Sequence, residues 1–197
     1  RGMEKAARRG DKVIRYSLLR LRHPPLKRLN RKRTIMASDR FNNAIQVVLG
    51  HEGGYVNDPS DTGGETKWGV SKRSYPNLDV KNLTREQAIV IYKRDWWDRY
   101  GYEGLPEGIG GKVFDMAVNM GPKTATIILQ NALRELGYKL IVDGIMGRAT
   151  IAASGTSNKE HLLDKLRLLS VKKYVEIVKD DANKAKFLMG WLTRALA

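Results

Sequence analysis

The 197-residue chain has no cysteine, which excludes a disulfide framework, a thiol nucleophile and a cysteine-ligated zinc. Histidine is scarce as well. His23, His51 and His161 are scattered and cannot by themselves build a three-histidine metal site, so no metal centre is expected. No run of about 18 apolar residues is present, and no segment can therefore cross a bilayer as a helix. The N-terminal stretch lacks the apolar core and small-residue cleavage site of a secretory signal, so synthesis in the cytoplasm is the expectation. Acidic residues are few, 21 Asp and Glu against 36 Lys and Arg, a net charge of +15. What is present, 42% hydrophobic residues over 197 positions, suffices for one sizeable core.

The positive charge is unevenly placed. Residues 1–36 hold 13 Lys and Arg and 2 Asp and Glu, a net +11, which leaves only +4 for the remainder. Residues 1–35 therefore read as a separate arm, or a fused or upstream extension, ahead of a globular unit at 36–197. Within the arm, Val13, Ile14, Leu18 and Leu21 recur at helical spacing among arginines until Pro24-Pro25 stops them. A basic amphipathic segment of this kind suits an anionic surface such as a membrane, lipopolysaccharide or nucleic acid; a solvated leader is the alternative.

From Ser38 the pattern is helical with short punctuation. Ser38 is placed to cap a helix whose Phe41, Ile45, Val48 and Leu49 form one apolar stripe. Glu52 falls eleven residues after Phe41, about three turns, and so continues that inward stripe before Gly53-Gly54 end the helix. Tyr55-Val56-Asn57 and Thr66 to Val70 then read as two short strands around a turn-rich loop, 58–64. Thr84-Arg85-Glu86-Gln87 has the form of a capping box opening a helix with Ala88, Ile91, Tyr92 and Trp96 on one side. Later helices carry Val113 to Val118, Ala125 to Leu136, Leu162 to Ile177 and Phe187 to Arg194, with 142–150 as a loop. The fold expected is mainly α, an α+β arrangement with one small hairpin beside Glu52.

The carboxylates are the credible chemical groups. An acid catalyst for glycoside cleavage must be protonated, which requires a pKa raised by partial burial among apolar neighbours. Glu52 ends an apolar face, and Gly53 and Gly54 leave room for a polymer to approach. Asp61 and Thr66, folded back by the hairpin, would face it across a groove, to stabilise positive charge or position a water. On spacing alone, Glu52 as a helix-end residue and Asp61 as an Asx-turn residue fit equally well.

The stretch Gly50-His51-Glu52-Gly53-Gly54-Tyr55-Val56-Asn57-Asp58-Pro59, followed by Asp61-Thr62-Gly63-Gly64-Glu65-Thr66-Lys67-Trp68-Gly69, resembles the signature of glycoside hydrolase family 108. These are N-acetylmuramidases of phage endolysins and bacterial secretion-activator proteins. The likeness continues through Tyr92, Trp96, Phe114-Asp115, Ala117, Asn119 and Gly121. Val142 to Gly147 and Phe187 to Arg194 resemble the peptidoglycan-binding region that accompanies the family. The resemblance covers about residues 39–195 and implies a lysozyme-like fold, with a catalytic part near 36–125 and a wall-binding helical part near 126–197. It implies cleavage of the β-1,4 bond between N-acetylmuramic acid and N-acetylglucosamine, without a cofactor. Glu52 matches the signature glutamate, and the order Glu52, Asp61, Thr66 is similar to the phage-type lysozyme trio, with one residue fewer between Asp61 and Thr66. It further implies a monomer that acts on the bacterial wall or periplasm after delivery by a holin or a dedicated secretion route.

Aromatic faces pack against sugar rings, which makes Tyr55, Trp68, Trp97 and Tyr100 candidate substrate contacts, with Tyr92 and Trp96 assigned to the core. Asn119 is the candidate polar contact, Asp115 a bracing residue and Asp143 a turn residue. Two other readings stay open: a non-catalytic peptidoglycan-binding or secretion-assisting protein, and a nucleic-acid binder driven by the arm.

Overall fold

A computed structural model describes residues 38–51, 54–55 and 64–197. The basic arm, Glu52, Gly53 and residues 56–63, Asp61 among them, lie outside the described residues.

Helix α1, Asp39–His51, starts where the Ser38 hydroxyl accepts a hydrogen bond from the Phe41 amide at 3.2 Å, and Asp39 sits in its positively polarised first turn. Phe41, Ala44, Ile45, Val48 and Leu49 are buried, the stripe expected from their spacing. A small antiparallel hairpin follows, β1 (Thr66–Lys67) and β2 (Val70–Ser71), with Thr66 opposite Ser71 and Lys67 opposite Val70.

The position of this hairpin corrects the sequence expectation. Strand β1 and the turn fall within the segment read as the second strand, β2 runs one residue past it to Ser71, and of the expected first strand Tyr55 lies outside any strand while Val56 and Asn57 lie outside the described residues. The physical reason is the Trp68-Gly69 turn, whose φ values of 51° and 77° give the two consecutive left-handed residues that a two-residue hairpin loop requires. Gly69 adopts this freely; Trp68 is the one described non-glycine residue with positive φ, held there by Tyr92, whose hydroxyl donates to the Trp68 carbonyl at 3.3 Å.

Helix α2, Arg85–Tyr92, opens with the expected capping box: the Gln87 amide donates to the Thr84 hydroxyl at 3.2 Å and the Gln87 side chain accepts from the Thr84 amide at 2.8 Å. It runs without a break into a π-helical turn, Lys93–Asp98. A short 3-10 turn, Tyr102–Gly104, leads to α3, Ile109–Met120, ten of whose twelve residues are buried. Helix α3 is the central post, with α1, α4 (Pro122–Glu135) and α6 (Lys159–Asp180) packed on it. Between α4 and α6 lies α5, Arg148–Thr156, where the sequence predicts a loop as far as Thr150; its buried face is Thr150, Ala153 and Ser154, small and polar, so it carries no apolar stripe. The Asn158 side chain caps α6 through the His161 amide at 3.0 Å. A 3-10 turn, Ala182–Phe187, and α7, Leu188–Leu196, complete the chain, with α7 packed on α6. One contiguous apolar core joins Phe41 of α1 to Ala195 of α7.

Candidate active site

The residues around the signature glutamate form a frame built from α1, the hairpin and α2. Helix α1 ends at His51, the residue before Glu52 in sequence. The Tyr55 hydroxyl donates to the Glu65 carboxylate at 3.0 Å, joining described residues that precede and follow 56–63. Thr66 is 6% exposed at the start of β1, and its hydroxyl lies 3.5 Å from the Gly64 carbonyl. The hairpin is itself anchored from below. Besides the bond from Tyr92 to Trp68, Tyr75 donates to Asp95 at 3.0 Å, and Arg94 pairs with the same carboxylate at 2.6 Å. Burial and the Asp95 charge push the Tyr75 phenol far above its ordinary range, so it stays a hydrogen-bond donor at any working pH.

Three of the aromatic candidates keep surface near this frame. Tyr55 is 39% exposed, Trp68 is half-buried with its indole N–H lacking a partner among the described residues, and Tyr100 is half-buried between Trp96 and Tyr102.

Two other candidates are corrected. Trp97 is 1% exposed: its ring meets Phe114 edge-on at 5.4 Å and Phe41 at 5.6 Å, and its N–H donates to Glu103 at 2.7 Å. No sugar can stack on it. The cause is the π-helical turn, which inserts an extra residue per turn and rotates Trp97, five residues beyond Tyr92, into the place that α-helical spacing assigns to Trp96. Trp96 is accordingly only partly buried, against the expectation that it is core. Asn119 is fully buried, and its side-chain carbonyl accepts from the Tyr174 hydroxyl at 3.0 Å, which makes it part of the joint between α3 and α6 rather than a cleft residue.

Asp115 does brace the fold, but its partner is Arg194 on α7, at 2.8 Å with both side chains almost fully buried. Asp143 holds a turn, accepting from the Ile145 amide and from Gln130, each at 2.8 Å, which keeps its carboxyl below the usual range. Glu103 carries no signal in the sequence. It accepts from Ser38 at 2.6 Å and from Trp97, and these bonds hold its carboxyl below the ordinary value despite partial burial.

The arrangement is therefore a mainly helical, α+β lysozyme-like molecule with one small hairpin beside the helix that leads into a glutamate. Residues 45–121 match the family model for glycosyl hydrolase 108, and residues 120–196 match that for the predicted peptidoglycan domain. Among solved structures, SagA of Brucella abortus is similar, with a TM-score of 0.63 and 26% identity over 81% of this chain and 95% of that one. No curated protein matches the chain. The chain thus carries a glycosyl hydrolase 108 match followed directly by a predicted peptidoglycan domain match, and together these support a hydrolase that acts on peptidoglycan.

Proposed function

We propose that the protein is an N-acetylmuramidase of the endolysin type, cleaving the β-1,4 bond from N-acetylmuramic acid to N-acetylglucosamine. Glu52 acts as general acid on the leaving oxygen; Asp61 and Thr66 act from the opposite side, the carboxylate against oxocarbenium charge and the hydroxyl on a water. Tyr55, Trp68 and Tyr100 offer their exposed faces to the sugar rings. The observation that supports this reading is α1, whose buried stripe runs to Leu49, three residues before Glu52 in sequence, together with a hairpin that begins with the near-buried Thr66. No cofactor takes part in this chemistry.

Lysis of the wall and a phage or secretion setting follow from this reading, with the basic arm docking to an anionic membrane or lipopolysaccharide and a holin or dedicated route supplying access. The test is digestion of purified sacculi with mass spectrometry of the products after borohydride reduction. Reduced muramic acid ends are the expected result. Reduced glucosamine ends, or free stem peptides without new reducing ends, would replace the muramidase reading with a glucosaminidase or an amidase.

A further inference from the structure

A groove of about 510 Å³ runs along the seam between the two matched regions, within the roughly 300–1,000 Å³ of sites that take small ligands. One wall is a second stripe of α1, where Arg40, Ala44, Val47 and His51 recur at intervals of four, three and four residues, beside the stripe that enters the core. The other wall comes from α6 and α7, with Lys159, Leu163, Arg167 and Arg194, and the floor is the start of α3. Most of this concave surface comes from residues 40–115, and the predicted peptidoglycan domain closes it with Lys159, Leu163, Arg167 and Arg194.

Its chemistry is uneven in a specific way. Of the five cationic side chains that line the groove, Arg194 is paired with Asp115 and Arg167 with Asp164, which leaves Arg40, Lys112 and Lys159 facing a single further carboxylate, Glu107. Arg40 and Lys112 direct their bonds to backbone carbonyls, Arg40 to Leu105 at 3.2 Å and Lys112 to Ala195 at 2.7 Å, which orients them without neutralising them. Lys159 lies across the start of α3, where a Cβ on Gly108 would touch its Cε at 3.1 Å. Between the charges the surface is apolar, and Val47 on its rim is 52% exposed. A segment of this chain with net charge +11 is repelled by such a groove; a short acidic peptide with methyl side chains complements it.

The α1 wall of the groove ends at His51, which directly precedes the proposed acid in sequence. In a muramidase the muramic acid sits on the non-reducing side of the broken bond, against the general acid, and its lactyl group carries the stem peptide away from the sugar. We infer that this seam is a stem-peptide site, in which the cations of both regions hold the carboxylates of the peptide hanging from the muramic acid beside Glu52. The inference rests on the muramidase reading, and it gives the second region a definite role, reading the peptide while the first region holds the sugar.

The test uses the full chain on two substrates, intact glycan chains bearing stems and the same chains stripped of stems by an amidase. Wild type is expected to prefer stem-bearing chains by at least about tenfold in kcat/KM, with the preference falling as salt rises. Lys159→Glu brings that ratio towards one, whereas Lys172→Glu, an equal charge change on an exposed part of the same helix, keeps it. Glutamate in the first turn of α6 is favourable to the helix, so the substitution spares the fold. In parallel, the free stem tetrapeptide titrated into Glu52→Gln protein should bind, and Lys159→Glu should weaken that binding about tenfold or more. Equal cleavage of both substrates by wild type, or tetrapeptide binding indifferent to Lys159→Glu, would overturn the site. Binding of inorganic phosphate with none of the tetrapeptide would also overturn it and assign the groove to a phosphate polymer. Failure to cleave either substrate would count against the muramidase reading alone, since the titration decides the peptide site separately.

Discussion

The hairpin side of the molecule and its helical body are held together by different means. The body has α3 buried on nearly all faces, with a buried ion pair from Asp115 to Arg194 across 79 residues of sequence. The hairpin has two-residue strands, a strained turn and single hydrogen bonds such as that from Tyr92 of α2 to Trp68. Local opening is set by the number of buried contacts a segment shares, so the hairpin opens at lower cost than α3 does.

The contrast can be broken most severely at the ion pair. Arg194→Met should destabilise the protein by about 3–5 kcal/mol, because it leaves the Asp115 charge buried, while Arg194→Met combined with Asp115→Leu should cost clearly less than the single change. Denaturant unfolding decides this, and a double variant as unstable as the single one would mean that the pair is not the unit of stability. Trp97→Ala should cost about 3–5 kcal/mol by opening the aromatic cluster of Phe41, Tyr102 and Phe114, with activity per folded molecule retained. A selective loss of substrate affinity there would return Trp97 to the cleft. On the hairpin side, Gly69→Val should cost about 1–2 kcal/mol at most in global stability, yet lower turnover more than Trp97→Ala does per folded molecule. Tyr55→Phe removes one exposed bond, worth about 0.5–1.5 kcal/mol, and should speed proteolysis within 56–63 without moving the melting temperature.

The smallest effect concerns pH. Glu103 has a depressed carboxyl pKa in the folded protein, so its contribution is fully present above the ordinary glutamate value, about 4.3, and is lost as pH falls through the lower folded value. Glu103→Gln should flatten that part of the melting temperature against pH below about 4.3. A profile unchanged by the substitution would assign the acid sensitivity elsewhere.

What the sequence made legible was local. The Thr84 to Gln87 capping box and the α1 stripe are decided within one or two turns, and both stand in the structure. The turn at Trp68-Gly69 was missed because it places a tryptophan in the left-handed region, which no propensity favours. Trp96 and Trp97 exchanged roles because apolar periodicity assumes 3.6 residues per turn, and Lys93–Asp98 does not keep it. Helix α5 was missed because its inner face is Thr150, Ala153 and Ser154. Glu103, joined to Ser38 across 65 residues, has no local signal at all. At the candidate site, the glutamate motif was legible, whereas Asn119 was misplaced because its partner Tyr174 arrives from α6, 55 residues away.

In the proposed mechanism Glu52 supplies the acid on a frame that survives without it. The most direct measurement compares wild type with Glu52→Gln on purified peptidoglycan, following new reducing ends, with melting temperature recorded for both. The expected result is a loss of about 10²- to 10⁴-fold in rate with stability unchanged. A Glu52→Gln protein that is folded and still releases muramic acid ends at the wild-type rate would contradict it.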